Sequence, residues 1–159
     1  MNIKSWILCC SMAALLSTPI AAEAHVLDGA QEHNGHYYKN FEFPLSWDQA
    51  EQFCRSVGGH LATIESGDEL SVVNETMNSG GQVTYWLGGY KDAKGLWRWI
   101  TGSIITNSNW SSHSPGSSKK ATRMRAFPGS GEWVDDNGAK ELSFICEWES
   151  YADAHDSNM

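Results

Sequence analysis

Basic residues, cysteines and long apolar runs are all scarce in this sequence, and each scarcity removes a class of function. With 11 Lys and Arg against 19 Asp and Glu, the formal net charge is −8. That is the wrong sign for general nucleic-acid binding, which wants a basic surface. The one sustained apolar stretch, Ile7 to Leu16, falls short of the about 20 residues that a bilayer-spanning helix takes. Familiar catalytic signatures are missing too: there is no Gly-rich phosphate loop and no nucleophile elbow. The six histidines, at positions 25, 33, 36, 60, 113 and 155, fall in no helical metal-binding spacing. Asp135 and Asp136 precede a turn and read as turn chemistry, not as an acid–base pair. No cofactor and no metal is expected.

The apolar stretch reads as the middle of an export signal. Lys4 precedes it and Ala22-Glu23-Ala24 supplies a small-residue cleavage site, so residues 1–24 form a signal peptide. Pro19 and small residues follow directly, against an uncleaved anchor helix. No cysteine stands at the cleavage point, so a soluble product without membrane insertion is expected, secreted or, in a bacterium, periplasmic. Cleavage leaves 159 − 24 = 135 residues, enough for one domain with a core. Cys9 and Cys10 leave with the signal. In an oxidising compartment the remaining two, Cys54 and Cys146, should pair rather than stay as buried thiols. Closing those 92 residues would remove roughly 4–5 kcal/mol of unfolded-chain entropy. Cleavage also exposes His25 as an N-terminus, whose amine and imidazole are a copper-ligand pair. That is the one enzyme alternative the chain offers.

Along the mature chain, residues 25–34 are polar and unpatterned and read as a leader. Residues 36–43 are rich in aromatics and strand-like. Ser46 with Gln49 forms a capping box, opening a helix with Trp47, Ala50, Phe53, Cys54 and Val57 on one face, and Gly58-Gly59 ends it. Residues 61–64 are a short apolar strand. Ser66 with Glu69 opens a second helix carrying Leu70, Val73 and Met77, closed by Gly80-Gly81. Strand patterns follow at 83–89, 96–100, 122–127, 132–135 and 142–148, with Asn137-Gly138 as a tight turn. Residues 102–122, dominated by Ser, Asn, Gly, Thr and Lys, exceed an ordinary connector, and such loops are usually functional or disordered. After residue 149 the chain is an acidic, polar tail, expected to be loose. Asn74-Glu75-Thr76 and Asn109-Trp110-Ser111 match the glycosylation pattern, which matters only in a eukaryotic secretory route.

Cys54 and Cys146 frame an ordered series: Trp86-Leu87-Gly88-Gly89, Gly95-Leu96-Trp97-Arg98-Trp99, Trp133-Val134-Asp135 and Phe144-Ile145-Cys146-Glu147. This series resembles the C-type lectin-like domain, over residues 36–148. The resemblance implies an α+β fold: two helices, two small antiparallel sheets and a long projecting loop that carries the ligand site. The domain is taken as residues 35–149, between the leader and a disordered tail at 150–159. The tryptophans on strands read as core; Trp110, in the long loop, matches a position that often anchors the loop base.

The calcium site is where the resemblance breaks. Sugar-binding members use a Glu-Pro-Asn or Gln-Pro-Asp triplet, a later glutamate and an Asn-Asp pair after a tryptophan. Counted back from Trp133, these positions hold Ser114-Pro115-Gly116, Thr122 and Val134-Asp135. Calcium takes 6–8 oxygen ligands, and of the five ligand positions only Asp135 keeps a carboxylate. A neighbouring acidic position of some members is Arg123. The family's inner disulfide falls on Met124 and Gly138, read as a thioether filling the space opposite a residue with no side chain.

Four basic residues lie within seven positions: Lys119, Lys120, Arg123 and Arg125. Alternation sends Arg123 and Arg125 outward and Met124 and Ala126 inward. Arginine forks suit carboxylates, sulfates and phosphates. The candidate ligand-binding set is therefore Lys119, Lys120, Arg123, Arg125, Trp110 and Asp135. The function read from it is calcium-independent carbohydrate binding, with an acidic glycan as the anionic ligand. The alternatives are a protein-binding module on the same loop face, or a solvated basic stretch that only balances Glu132, Asp135 and Asp136.

Overall fold

The structure, a computed structural model, describes residues 25–106 and 109–156; the signal-peptide reading of residues 1–24 lies outside them. The chain is α+β. Strands β1 (Gln31–His33) and β2 (His36–Leu45) precede helix α1 (Trp47–Ser56), strand β3 (His60–Leu61) and helix α2 (Gly67–Ser79). Then come β4 (Tyr85–Lys91), β5 (Trp97–Trp99), β6 (Arg123–Ala126), β7 (Trp133–Asp136), β8 (Leu142–Trp148) and a terminal helix α3 (Tyr151–Asp156). The main path of the sheet runs β1-β2-β8-β4-β6-β7, with β3 paired to β8 and β5 to β4. All pairings are antiparallel except β4 with β8, which run parallel.

Both long helices start as their caps dictate. The Ser46 side chain accepts from the Gln49 N–H, and the Gln49 side chain accepts in turn from the Ser46 N–H. Ser66 and Glu69 repeat this on α2. Each box satisfies donors that a helix start leaves unpaired. Gly58, at φ 84, turns the chain after α1. Gly59 then lies so close to β8 that a Cβ there would sit 2.5 Å from the Glu147 carbonyl oxygen.

The sheet is two-faced because β4 and β8 occupy its centre, and side chains alternate along a strand. Tyr85, Leu87 and Ile145 join one apolar cluster, covered by Val73 and Met77 of α2 and by Trp99 and Trp133. Trp86, Phe144, Cys146 and Trp148 join another, covered by Trp47, Ala50 and Cys54 of α1. Three buried or half-buried indole N–H groups find backbone partners: Trp47 with Leu87 O at 2.7 Å, Trp86 with Leu45 O at 3.0 Å and Trp148 with Val57 O at 2.8 Å. Buried polar atoms without such partners would be costly.

Cys54 and Cys146 are disulfide-bonded, with Cα atoms 5.5 Å apart. The bridge joins α1 to β8 inside the second cluster, next to Trp86, Phe144 and Trp148.

Three sequence readings are corrected. Residues 25–34 are not an unpatterned leader. Asn34-Gly35, both at positive φ, form the turn of a hairpin pairing β1 with β2, and Leu27 is buried in the second cluster. The tail is not loose throughout, since residues 151–156 are helical and Ala154 is buried. Met124 does not fill the space opposite Gly138. It packs on Gly89, where an added Cβ would meet its sulfur at 2.7 Å, whereas Gly138 lies against the Arg123 side chain.

Replacing Cys54 with Ala should cost about 2–5 kcal/mol. Urea unfolding of the oxidised parent and the variant would measure it. Thiol labelling followed by mass spectrometry of the exported parent should find no free cysteine at either position.

Candidate functional site

The long segment from residue 102 to residue 122 is tied down at its base and open at its tip. Ile104 bridges to Arg98 beside β5, and the Ile105 N–H donates to Trp97 O at 3.1 Å. On the return side Trp110 bridges to Trp133. Ser111 N–H donates to Trp133 O at 2.9 Å, and Trp133 N–H to Asn109 O at 2.8 Å. Between these anchors and Thr122, whose N–H reaches Asp136 O at 2.9 Å, residues 112–120 are largely exposed.

Trp110 belongs to the base. Its ring stands edge-on to Trp97 at 4.8 Å and to Trp133 at 5.8 Å, and it packs against the first cluster. The ring thus packs into the loop base while staying partly exposed. Both glycosylation patterns are likewise built in. Asn74 Nδ2 donates to Gly129 O at 3.1 Å and Asn109 Nδ2 to Gly131 O at 2.7 Å, and Thr76 is buried.

Asp135 stands where the family's last calcium carboxylate would stand, and its Oδ1 accepts from the Gly116 N–H at 3.0 Å. That bond fastens the loop, through the segment containing the cis Ser114–Pro115 peptide, to β7. Ser114, Gly116, Thr122 and Val134 add no carboxylate. The five positions thus offer one carboxylate, already engaged, and two hydroxyls, where calcium takes 6–8 oxygens.

The four cations divide into two pairs. On β6 the alternation is as the pattern predicts, with Met124 and Ala126 buried and Arg123 and Arg125 half-buried on the other face. Neither arginine projects freely, however. Arg123 lies over the Trp47 ring at 4.5 Å, with Nη2 3.2 Å from Asp48 Oδ1. Arg125 lies over Phe127 at 5.1 Å, with Nε 3.0 Å from Asp136 Oδ2. Packing on an aromatic face and pairing with a carboxylate are the two things a guanidinium does best inside a fold. Lys119 and Lys120 are exposed, and among the described residues neither side chain has an ion-pair partner. The spacing of the four cations was legible in the sequence. Their division was not, because Asp48 and Asp136 reach them only through tertiary packing.

Asp136 is the hub of this region. It is 8% exposed, and its Oδ2 receives Arg125 and also Lys140 Nζ at 2.6 Å, while its Oδ1 accepts from Asn137 N–H at 2.7 Å. Burial alone would push its pKa up, but the bonds from Lys140, Asn137 and Arg125 outweigh it and hold the carboxyl below the ordinary value of 3.8. A depressed carboxyl stabilises the fold above its unfolded pKa, and that contribution is lost as pH falls through its folded value. Asp136→Asn should therefore cost about 1–3 kcal/mol at neutral pH and almost nothing once the carboxyl is protonated. Urea midpoints of parent and variant, compared at neutral pH and well below the carboxylate range, should converge in acid.

His25, the copper candidate, has both of its nitrogen groups engaged. Its main-chain nitrogen donates to Asp28 Oδ2 at 3.0 Å, and its Nδ1 accepts from Leu27 N–H at 3.2 Å. Its ring stacks on Tyr151 at 5.4 Å.

Comparison with known proteins agrees with this architecture. A sequence model of the Lectin C-type domain matches residues 43–148. The alpha-1 chain of snaclec agglucetin from Deinagkistrodon acutus is 31% identical over 132 residues, covering 79% of this chain and 84% of that protein. One of the chains of the snaclec coagulation factor IX-binding protein from Protobothrops flavoviridis is 31% identical over 127 residues, covering 75% of this chain and 96% of the other. Among solved structures, the SPL-1–GlcNAc complex superposes with a TM-score of 0.69 at 26% identity, covering 77% of this chain and 93% of that one. With the helices, the strand order and the loop base in place beside these matches, the chain belongs to the C-type lectin domain family and is a lectin-like binding module.

Proposed function

We propose that this protein is a secreted or periplasmic recognition module that binds carbohydrate through its long-loop face without calcium, and that it is not an enzyme. The observation that carries the reading is the engagement of Asp135 with the Gly116 N–H at a site otherwise stripped of carboxylates. Where calcium normally organises the loop, a backbone hydrogen bond does so here. The GlcNAc of the similar SPL-1 complex supports a sugar as ligand, and the polar, exposed residues 112–120 suit hydroxyl-rich partners. Lys119 and Lys120 supply positive charge on that face and favour acidic glycans. The Cys54–Cys146 bridge fits an oxidising compartment, and among the described residues no helix is long and apolar enough to cross a membrane.

A second reading is a protein target on the same face. It draws on the snaclec relative whose name gives coagulation factor IX as its partner.

Calcium should not stabilise the metal-stripped protein. Binding at a hundredfold excess over the dissociation constant would add about 2.7 kcal/mol, so melting curves with and without millimolar calcium should overlay. A reproducible rise with calcium would mean that a cage exists and the calcium-free reading is wrong.

A glycan array probed with metal-stripped protein should give the same hits with and without added calcium. Lys119→Ala with Lys120→Ala should weaken acidic-glycan hits by about tenfold, as expected for two exposed charges, and by less at high salt. Silence on the array beside tight binding to a defined protein would replace this reading with the second.

A further inference from the structure

Two histidines far apart in the chain meet at the end of the sheet where β2 begins and β8 ends. Tyr37 pairs with Trp148 and Tyr38 with Glu147, which puts His36 beside Glu149, the residue just after β8. Strand β3 brings a second ring to the same place, because His60 pairs with Glu147.

Both nitrogens of each ring face oxygen atoms that only accept. His36 Nδ1 lies 2.9 Å from Glu147 Oε1, and its Nε2 lies 3.5 Å from Glu149 Oε2. His60 Nδ1 lies 2.9 Å from Leu61 O, and its Nε2 lies 2.8 Å from Glu149 Oε1. A neutral imidazole has one N–H and serves one of its two acceptors, whereas an imidazolium donates to both. Glu147 cannot give way when a proton leaves. It is 1% exposed, and it also accepts from the Tyr38 hydroxyl at 3.2 Å, the Thr63 N–H at 2.8 Å and the Thr63 hydroxyl at 3.0 Å. Burial, and then the charge of Glu147, push the Tyr38 hydroxyl up, so it stays a donor. Glu149, with a side chain 50% exposed, is the partner that can swing away.

The charges around the pair are mostly spoken for. Glu69 of α2 accepts from the Glu65 and Ser66 N–H groups. Glu51 of α1 accepts from the Leu61 N–H and pairs with Arg55. Asp153 of α3 accepts from the Ser150 hydroxyl, and His33, across β1 from His36, is bonded to Asn34. The bond to Glu147 dominates at His36. With the charges of Glu147, Glu149 and Glu69 it outweighs burial and holds the ring above its ordinary value of 6.5.

We propose that His36 and His60 form a proton-operated clamp on Glu149, closed when both rings are charged and released when they lose a proton, fastening the chain end that leads into α3 to β2 and β3. Helix α3 starts two residues later, buries Ala154 in the second cluster and stacks Tyr151 on His25, so Glu149 holds its entry. A raised folded pKa at His36 gives stability that is complete below the unfolded value and lost as pH rises through the folded one. The clamp therefore tightens in mild acid and loosens toward alkaline pH.

Hydrogen exchange of the full mature protein at about pH 5.5 and about pH 8.5, on either side of the histidine range, tests this. After correction for intrinsic rates, protection in α3 and at the end of β8 should fall roughly tenfold at the higher pH, while β4 stays protected. NMR titration should place His36 above its ordinary value. Glu149→Gln, at a half-exposed position, should make protection of α3 low at both pH values. His36→Gln, which keeps an N–H for Glu147, should weaken the pH response; if it fails to fold, Glu149→Gln carries the test. His33→Gln should respond like the parent. Equal protection of α3 at the two pH values in the parent would overturn the clamp, as would a parent-like pH response in Glu149→Gln. Loss of the response in His33→Gln would overturn it too, by moving the titrating ring elsewhere.

Discussion

Strands β4 and β8 lie parallel at the centre of the sheet, Tyr85 beside Ser143 and Trp86 beside Phe144, and the remaining elements are arranged around that pair. Because both strands are interior, both of their faces must be covered. Helix α2 and the Trp99–Trp133 pair cover one face, and α1 with the disulfide covers the other. Close approach makes this possible. Gly88 lies where an added Cβ would sit 2.5 Å from Leu61 O, so β4 can lie against β3 only with no side chain at that position. The same central strands then fix the outer ones: β8 holds β2 and β3, and β4 holds β5 and β6.

The long loop depends on this frame at second hand. Trp133 is buried in the first cluster, and its backbone bonds to Asn109 and Ser111 carry the position of the core out to the loop base. Asp135, two residues on, extends the connection to Gly116. The long loop is thus held by one tryptophan strand and one carboxylate, with its tip exposed.

Electrostatics in this region serve the fold before they serve any ligand. An acidic chain with a basic cluster invites the reading of a steering patch. Arg123 and Arg125 are instead absorbed by Asp48 and Asp136 and by the aromatic faces of Trp47 and Phe127. Half-buried guanidinium groups need such partners, since an unpaired buried charge is expensive. The exposed part of the cluster is the lysine pair, whose flexible side chains carry charge but little geometry.

Much of the framework was legible in the chain itself, for local reasons. The two capping boxes, the tryptophan strands and the outward alternation at Arg123 and Arg125 depend on neighbours within a few residues, as propensity and period require. The hairpin at Asn34-Gly35 was equally local, and its dipeptide was the signal for it. The pairing of Cys54 with Cys146 followed from compartment and count, and the missing calcium carboxylates from residue identity in register. Tertiary structure alone decided the rest, because it depends on which side chains meet across long separations. Met124 packs on Gly89 and not opposite Gly138, Trp110 closes against Trp97 and Trp133, and Asp48 neutralises Arg123 across 75 residues. His36, His60 and Glu149 are strangers in sequence, and only the pairing of β2 and β3 with β8 brings both rings to the Glu149 carboxylate.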